Sequence, residues 1–217
     1  MKRIGLLGGS FNPAHGGHRR VSLFTLEGLG LDEVWWLVSP GNPLKPKAGM
    51  APLAARLASA KAWSRRAPIR ATAIESQLGT RYTVDTLRAI TRRYPKNRFV
   101  WLMGSDNLAQ FHRWKDWRTI ARRMPIAVIA RPGYDSDAVA SPAMAWLRRN
   151  RVSAARFSDG GEWSAPTLVT LRFDPDERSA TAIRRGDPDW ASRYSVSALR
   201  DPVTHRSIPI EEKAPAS

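Results

Sequence analysis

"LGGSFNPAHGGH", Leu7 to His18, decides how the rest of the chain is read. It follows an apolar run of strand length, Arg3 to Leu7, and leads into a helical pattern from about Gly17 to Leu29, which is itself followed by the apolar run Glu33 to Val38. Strand, glycine-rich turn, helix and strand make one βαβ unit, whose two strands must be parallel. The alternation continues outward. A helix is expected near Pro52 to Arg65, a strand near Ile69 to Ile74, a helix near Val84 to Tyr94, and a strong strand over "RFVWLMG" from Arg98. A helix around Trp117 to Arg123 precedes "PIAVIA" (Pro125 to Ala130), which has the continuous apolar character of a strand covered on both faces. A helix near Pro142 to Arg149, strands near Val152 to Phe157 and Thr167 to Arg172, and short helices after Ser179 follow. This pattern predicts an α/β protein with a doubly wound, mostly parallel, Rossmann-like sheet. One domain is expected over residues 1–199. The proline-rich stretch from Arg200 to Ser217 is expected to be a loose tail.

Composition narrows the function classes. The 217 residues suffice for one sizeable core. No run approaches the roughly 18 apolar residues of a membrane span, and the segment after Met1-Lys2-Arg3 is too short and glycine-rich for a signal peptide, so a cytoplasmic location is expected. The absence of cysteine excludes disulfides, thiolate nucleophiles and cysteine-bound zinc, and the four histidines lack HExxH spacing, so no protein-held metal site is expected. A formal charge of +16 attracts polyanions in general. Much of the excess lies in arginine pairs, Arg65-Arg66, Arg92-Arg93, Arg122-Arg123 and Arg148-Arg149, near predicted helix ends, where cations complement the helix dipole. A basic nucleic-acid-binding module with nine tryptophans for stacking is a different reading of the same charge.

The opening stretch lies where doubly wound proteins bind nucleotides, beyond the carboxyl end of the first strand. It lacks both GxGxxG and GxxxxGK[ST], so neither the dinucleotide fingerprint nor the P-loop accounts for it. His15 and His18 stand at the helix entrance, where backbone N–H groups and the dipole already favour an anion. Two imidazole donors there would complete an oxyanion clamp. Other segments carry further polar groups. "SPGNPLKPKAG" (Ser39 to Gly49) brings Asn42, Lys45 and Lys47. "GTRYTVDTL" (Gly79 to Leu87) places Thr83 at an expected helix cap. "MGSDNLAQFHRWKDW" (Met103 to Trp117) offers Asp106, His112, Trp114 and Trp117, of which Trp117, three residues after Trp114, is expected in the core and His112 on the surface. "RSATAIRRG" (Arg178 to Gly186) gives Ser179 as an N-cap, with Thr181 and Arg184 on one helical face.

From Lys2 to about Arg185 these segments resemble, in order and spacing, the bacterial nicotinate-nucleotide adenylyltransferases of the HxGH nucleotidyltransferases. The resemblance implies transfer of the adenylyl group of ATP to nicotinate mononucleotide, with Mg²⁺ carried in on ATP. It implies that His15, His18, Lys45 and Arg184 are catalytic. It adds Gly8, Gly9, Ser10, Phe11, Arg131, Ser179 and Thr181 as ATP-binding residues, with Arg131 either contacting adenosine or closing its loop. Asn12, Tyr82, Thr83, Asp106 and Trp114 are implied at the mononucleotide, Tyr82-Thr83 meeting the pyridine carboxylate and Trp114 stacking on the ring. Ala180 departs from the family's Ser-Ser-Thr-x-x-Arg pattern and removes one hydroxyl. Nicotinamide mononucleotide or another phosphate acceptor is the nearest alternative, and self-association is left open.

Overall fold

The computed structural model describes residues 1–41, 49–130, 135–160, 163–173, 179–194 and 199–208. Seven parallel strands form one sheet: β1 (Arg3–Gly9), β2 (Glu33–Val38), β3 (Ile69–Thr72), β4 (Arg98–Gly104), β5 (Ile126–Ala130), β6 (Arg151–Val152) and β7 (Leu168–Arg172), in the order β3-β2-β1-β4-β5-β7-β6. The period of two along each strand divides the core into two layers. Ile4, Leu6, Trp35, Leu37, Trp101 and Met103 face one side, against Val84, Leu87 and Ile90 of α4 (Thr83–Arg93) and Ile120 of α6 (Trp117–Arg123). Val34, Trp36, Val38, Val100 and Leu102 face the other, against Leu26 of α1 (Gly16–Gly28) and Leu57 and Ala60 of α2 (Leu53–Ser64). Both faces are covered, so the strands are apolar throughout rather than alternating, as the doubly wound pattern requires.

The chain winds outward from β1 through β2 to β3, then crosses back to β4 beside β1 and winds the other way. The carboxyl ends of β1 and β4 therefore flank the switch point, and the loops leaving them open the crevice where such sheets bind ligands. Gly8 lies on that edge. A Cβ there would stand 2.7 Å from the Trp101 ring, so only glycine lets the indole of β4 come this close to β1.

Three features depart from the sequence pattern. The strand expected over Val152 to Phe157, after α8 (Pro142–Leu147), ends at Val152, because the Ser153 hydroxyl accepts from Arg156 N and starts α9 (Ala154–Ser158). Three short helices not foreseen, α3 (Ile74–Leu78), α5 (Ser105–Phe111) and α7 (Asp135–Ala140), follow strands almost directly. The described chain also continues beyond Arg200, where a loose tail is expected to begin. β8 (Leu199–Arg200) and β9 (Ser207–Ile208) pair as an antiparallel hairpin, and its turn holds Asp201, wholly buried, against the end of β3. Buried hydrogen bonds offset the poor apolar content that made this stretch look loose.

Candidate functional site

β1 delivers the glycine loop, and α1 begins at its far end with His15 as N-cap. His15 Nδ1 accepts from Gly17 N at 3.1 Å, and His18 Nδ1 accepts from His15 N at 3.3 Å, a capping box made by two imidazoles. A neutral imidazole that accepts at Nδ1 carries its proton on Nε2. The helix cap thus sets both rings in the same tautomer, each with an Nε2 donor. The rings lie 4.0 Å apart, and His18 packs 4.8 Å from Phe11, which in turn stacks 5.1 Å from the buried Trp36. Phe11, buried with φ of 46°, turns the chain sharply at the base of the loop. Packing and cap hydrogen bonds thus anchor the loop, which is what an electrostatic clamp needs in order to act without reorganising.

Residues distant in sequence hold this loop in place. Arg184 of α10 (Ala180–Gly186) donates to Asn12 O at 2.6 Å and to Thr181 Oγ1 at 3.2 Å, which brings the last polar motif onto the first. Ser179 caps α10 by accepting from Ala182 N, as expected. Asn12, implied at the substrate, uses its side chain to hold the next loop, donating to Gly49 O and accepting from Ala51 N. Arg56 did not emerge from the sequence. It is almost wholly buried in α2 and donates to Ala51 O at 2.8 Å and to Ser10 O and Ser39 O, each at 2.7 Å. One guanidinium thus ties the loop after β1 to the loop after β2. The signal was an arginine inside the otherwise small and apolar "LAARLASA". Lys45, with Asn42 and Lys47, and Arg131 lie outside the described residues.

The opposite side of the crevice belongs to α4 and α5. Tyr82, not Thr83, is the N-cap of α4, and it caps through its backbone alone: Asp85 N and Thr86 N both donate to Tyr82 O. Thr83 is the first helical residue, so its N–H belongs to the first turn, which has no intrahelical acceptor. Tyr82 is half-buried, and Lys115 Nζ stands 4.5 Å from its ring centroid. Asp106 occupies the first turn of α5, directly after β4. Trp114 is half-buried and meets Phe111 and Trp101 edge-on at 5.3 and 6.3 Å. Because Trp101 also touches Gly8, one indole links the Trp114 wall to the glycine loop. Trp117 lies in the core, as its spacing predicts. His112, expected on the surface, is half-buried, and its Nδ1 has no hydrogen-bond partner among the described residues. Among those residues no helix is long and apolar enough to cross a membrane.

The cytidylyltransferase-like family model matches residues 6–186. A protein of Erythrobacter litoralis named probable nicotinate-nucleotide adenylyltransferase is 73% identical over 214 residues, 99% of this chain and 98% of its own length. A protein of the same name from Parvibaculum lavamentivorans is 52% identical over 192 residues, 88% of this chain and 94% of its own. The fold is that of the Plasmodium falciparum nicotinic acid mononucleotide adenylyltransferase solved with NaAD, at a TM-score of 0.63 and 16% identity, over 85% of this chain and 83% of that one. With two parallel strands opening on a pair of imidazoles at a helix start, and relatives this similar along nearly their whole length, the chain belongs to the nicotinate-nucleotide adenylyltransferase family.

Proposed function

We propose that the protein transfers the adenylyl group of ATP to nicotinate mononucleotide, giving nicotinate adenine dinucleotide and pyrophosphate. The observation that carries this reading is the His15–His18 pair, set in one tautomer at the start of α1 and at the switch point of the sheet. A phosphate oxygen of the mononucleotide attacks the α-phosphorus of ATP, the bond from that phosphorus to the bridging oxygen breaks, and the electron pair leaves with pyrophosphate. The nucleophile is already an anion, so no extracting base is required, and catalysis consists of alignment and charge neutralisation. In this reading the Nε2 donors of His15 and His18 meet the charge that develops at the α-phosphate. Arg184 and Thr181, with Lys45 from the loop after β2, hold the leaving pyrophosphate. Mg²⁺ belongs to the proposal as a companion of ATP, where it neutralises phosphate charge.

The direct test is pyrophosphate release with ATP and either nicotinate or nicotinamide mononucleotide, beside salt-dependent binding of a single-stranded oligonucleotide. Turnover with the nicotinate form supports the reading. Tight oligonucleotide binding without turnover would replace it with the nucleic-acid reading of the +16 charge.

Two substitutions resolve the ends of the crevice. Arg184→Lys loses the planar fork that now spans Asn12 O and Thr181 Oγ1. Charged hydrogen bonds of this kind contribute about 1.5–3 kcal/mol, so kcat/KM for ATP is expected to fall by about 10-fold or more, with KM for nicotinate mononucleotide little changed. A defect confined to the mononucleotide would mean that the two substrates lie the other way round. Trp114→Ala removes a half-exposed indole, and stacking on a base is worth roughly 1–3 kcal/mol, so affinity for the mononucleotide is expected to weaken by about 5-fold or more while ATP is spared. Its edge contacts with Phe111 and Trp101 make some loss of melting temperature part of the result. Unchanged mononucleotide affinity in a folded Trp114→Ala enzyme would remove the stacking role.

A further inference from the structure

α3 stands between the outer strands and the start of α4 and carries Glu75, a residue that keeps some exposed surface but whose carboxyl is buried. Thr86 Oγ1 lies 3.3 Å from Glu75 Oε1, 3.3 Å from Tyr82 O and 2.8 Å from Thr80 Oγ1. A hydroxyl has one proton and two acceptor sites, so Thr86 can serve only one of Glu75, Tyr82 and Thr80 with its proton. If Glu75 is ionised it takes the Thr86 proton, and Tyr82 O loses that bond. If Glu75 is a neutral acid and Thr80 Oγ1 is the donor in its 2.8 Å pair with Thr86, Thr86 Oγ1 accepts from both and its proton turns to Tyr82 O. The state of one carboxyl therefore sets the polarity of a chain that ends on the N-cap of α4.

We propose that Glu75 is a positioning residue which, as the neutral acid, fastens the Tyr82–Thr83 turn through Thr86 and keeps negative charge away from the place where the pyridine carboxylate binds. The proposal rests on the substrate reading above. Charged groups on the neighbouring elements are engaged elsewhere. β2 directs Glu33 to Lys2 and Arg70 at its amino end. α4 directs Asp85 to Arg88 and Lys115, at 3.4 and 3.5 Å. Asp201 accepts from Thr72 and Ala73 N, and Arg81 lies over the Tyr82 ring. Among the described residues the Thr86 and Ser39 hydroxyls favour the charged form of the Glu75 carboxyl, and burial outweighs them, pushing it up to about 7. The chain thus reverses near neutral pH.

The experiment measures KM for nicotinate mononucleotide and for ATP from pH 6 to 9 in the wild type and Glu75→Gln. A ligand that binds only the protonated form loses about tenfold in apparent affinity per pH unit above the pKa, so wild-type KM for nicotinate mononucleotide is expected to rise by about fivefold or more between pH 6 and 8.5. KM for ATP should stay flat. Glutamine also donates to Thr86 and never ionises, so Glu75→Gln should hold the low-pH KM across the range. Stability gives a second readout. Because the folded state keeps its proton between the ordinary value of 4.5 and about 7, Glu75 costs stability progressively as pH rises through that window, and fully above it. Glu75→Gln should therefore melt no lower than wild type at pH 8. A wild-type pH profile in Glu75→Gln, or a lower melting temperature at pH 8, overturns the proposal while the substrate reading stands. Absence of turnover with nicotinate mononucleotide at pH 6 overturns both.

Discussion

His18→Ala is expected to lower kcat by on the order of 100 to 1,000-fold, the usual loss when one preorganised donor to developing charge is removed. ATP affinity should change much less, because the ground-state triphosphate makes most of its contacts elsewhere. The structure adds a complication that the motif alone does not show. His18 Nδ1 also accepts from His15 N, and its ring packs against Phe11, so alanine removes a helix cap as well as a donor. A lost cap costs about 1 kcal/mol of stability, which lowers the melting temperature slightly but cannot produce a rate loss of that size in a folded enzyme. His18→Asn separates the two effects. An amide oxygen can replace Nδ1 as acceptor for His15 N, yet it does not place a donor where Nε2 stands. Restored stability with kcat still depressed assigns the rate loss to Nε2. Fully active His18→Ala would overturn the mechanism, and equal losses in ATP affinity and rate would make His18 a uniform binder.

Much of the architecture was legible because both layers of the core obey simple periods. "EVWWLV" and "RFVWLMG" read as strands because a sheet covered on two faces has no polar side, and they form β2 and β4. Arg92-Arg93 and Arg122-Arg123 fall in the last turns of α4 and α6, where the dipole argument places them. The short helices α3 and α5 were not legible, since five and seven residues are too few to display a 3.6-residue period. Ser153 defeated the strand reading of Val152 to Phe157 because a cap is a one-residue signal that competes with an apolar run.

The candidate site shows a similar division. The placement of His15 and His18 at the start of α1, and of Ser179 and Arg184 on α10, was legible from strand ends and helix starts. Arg56 and Glu75 were not, because their roles depend on contacts that the linear order conceals. Arg56 reaches carbonyls of Ser10 and Ser39, in loops before its own helix, and Glu75 reaches Thr86 in the helix after its own. A charged residue in an apolar helix marks such a position without saying what it binds. Thr83 was placed one residue late in its role because a backbone N-cap, here Tyr82, has no side-chain signature.

Asp201→Ala is expected to produce the largest loss of stability. The side chain is 0% exposed, and its two oxygens accept from Thr72 Oγ1, Ala73 N, Val203 N and Thr204 N at 2.8–3.0 Å. Alanine leaves these donors without their acceptor, three of them, Thr72 Oγ1, Ala73 N and Val203 N, in a place water does not reach. Each unsatisfied buried group costs about 1–3 kcal/mol, and partial relaxation of the hairpin brings the sum to about 3–5 kcal/mol. For a domain of this size that lowers the melting temperature by roughly 10 °C. Asp201→Asn is nearly isosteric but turns an NH₂ toward N–H donors, so it should lose almost as much, whereas a loss caused by missing volume would spare it. The damage should also reach the site. Thr72 Oγ1 accepts from Ile74 N, so the Asp201–Thr72–Ala73 group fixes the start of α3 and with it Glu75. Enzyme that remains folded at low temperature should therefore show a raised KM for nicotinate mononucleotide and an ordinary KM for ATP. A wild-type melting curve for Asp201→Ala would mean that the hairpin is an appendage, and that its contacts with Lys61, Arg70 and Tyr94, each donating to a hairpin carbonyl, hold nothing that the sheet does not already hold by itself.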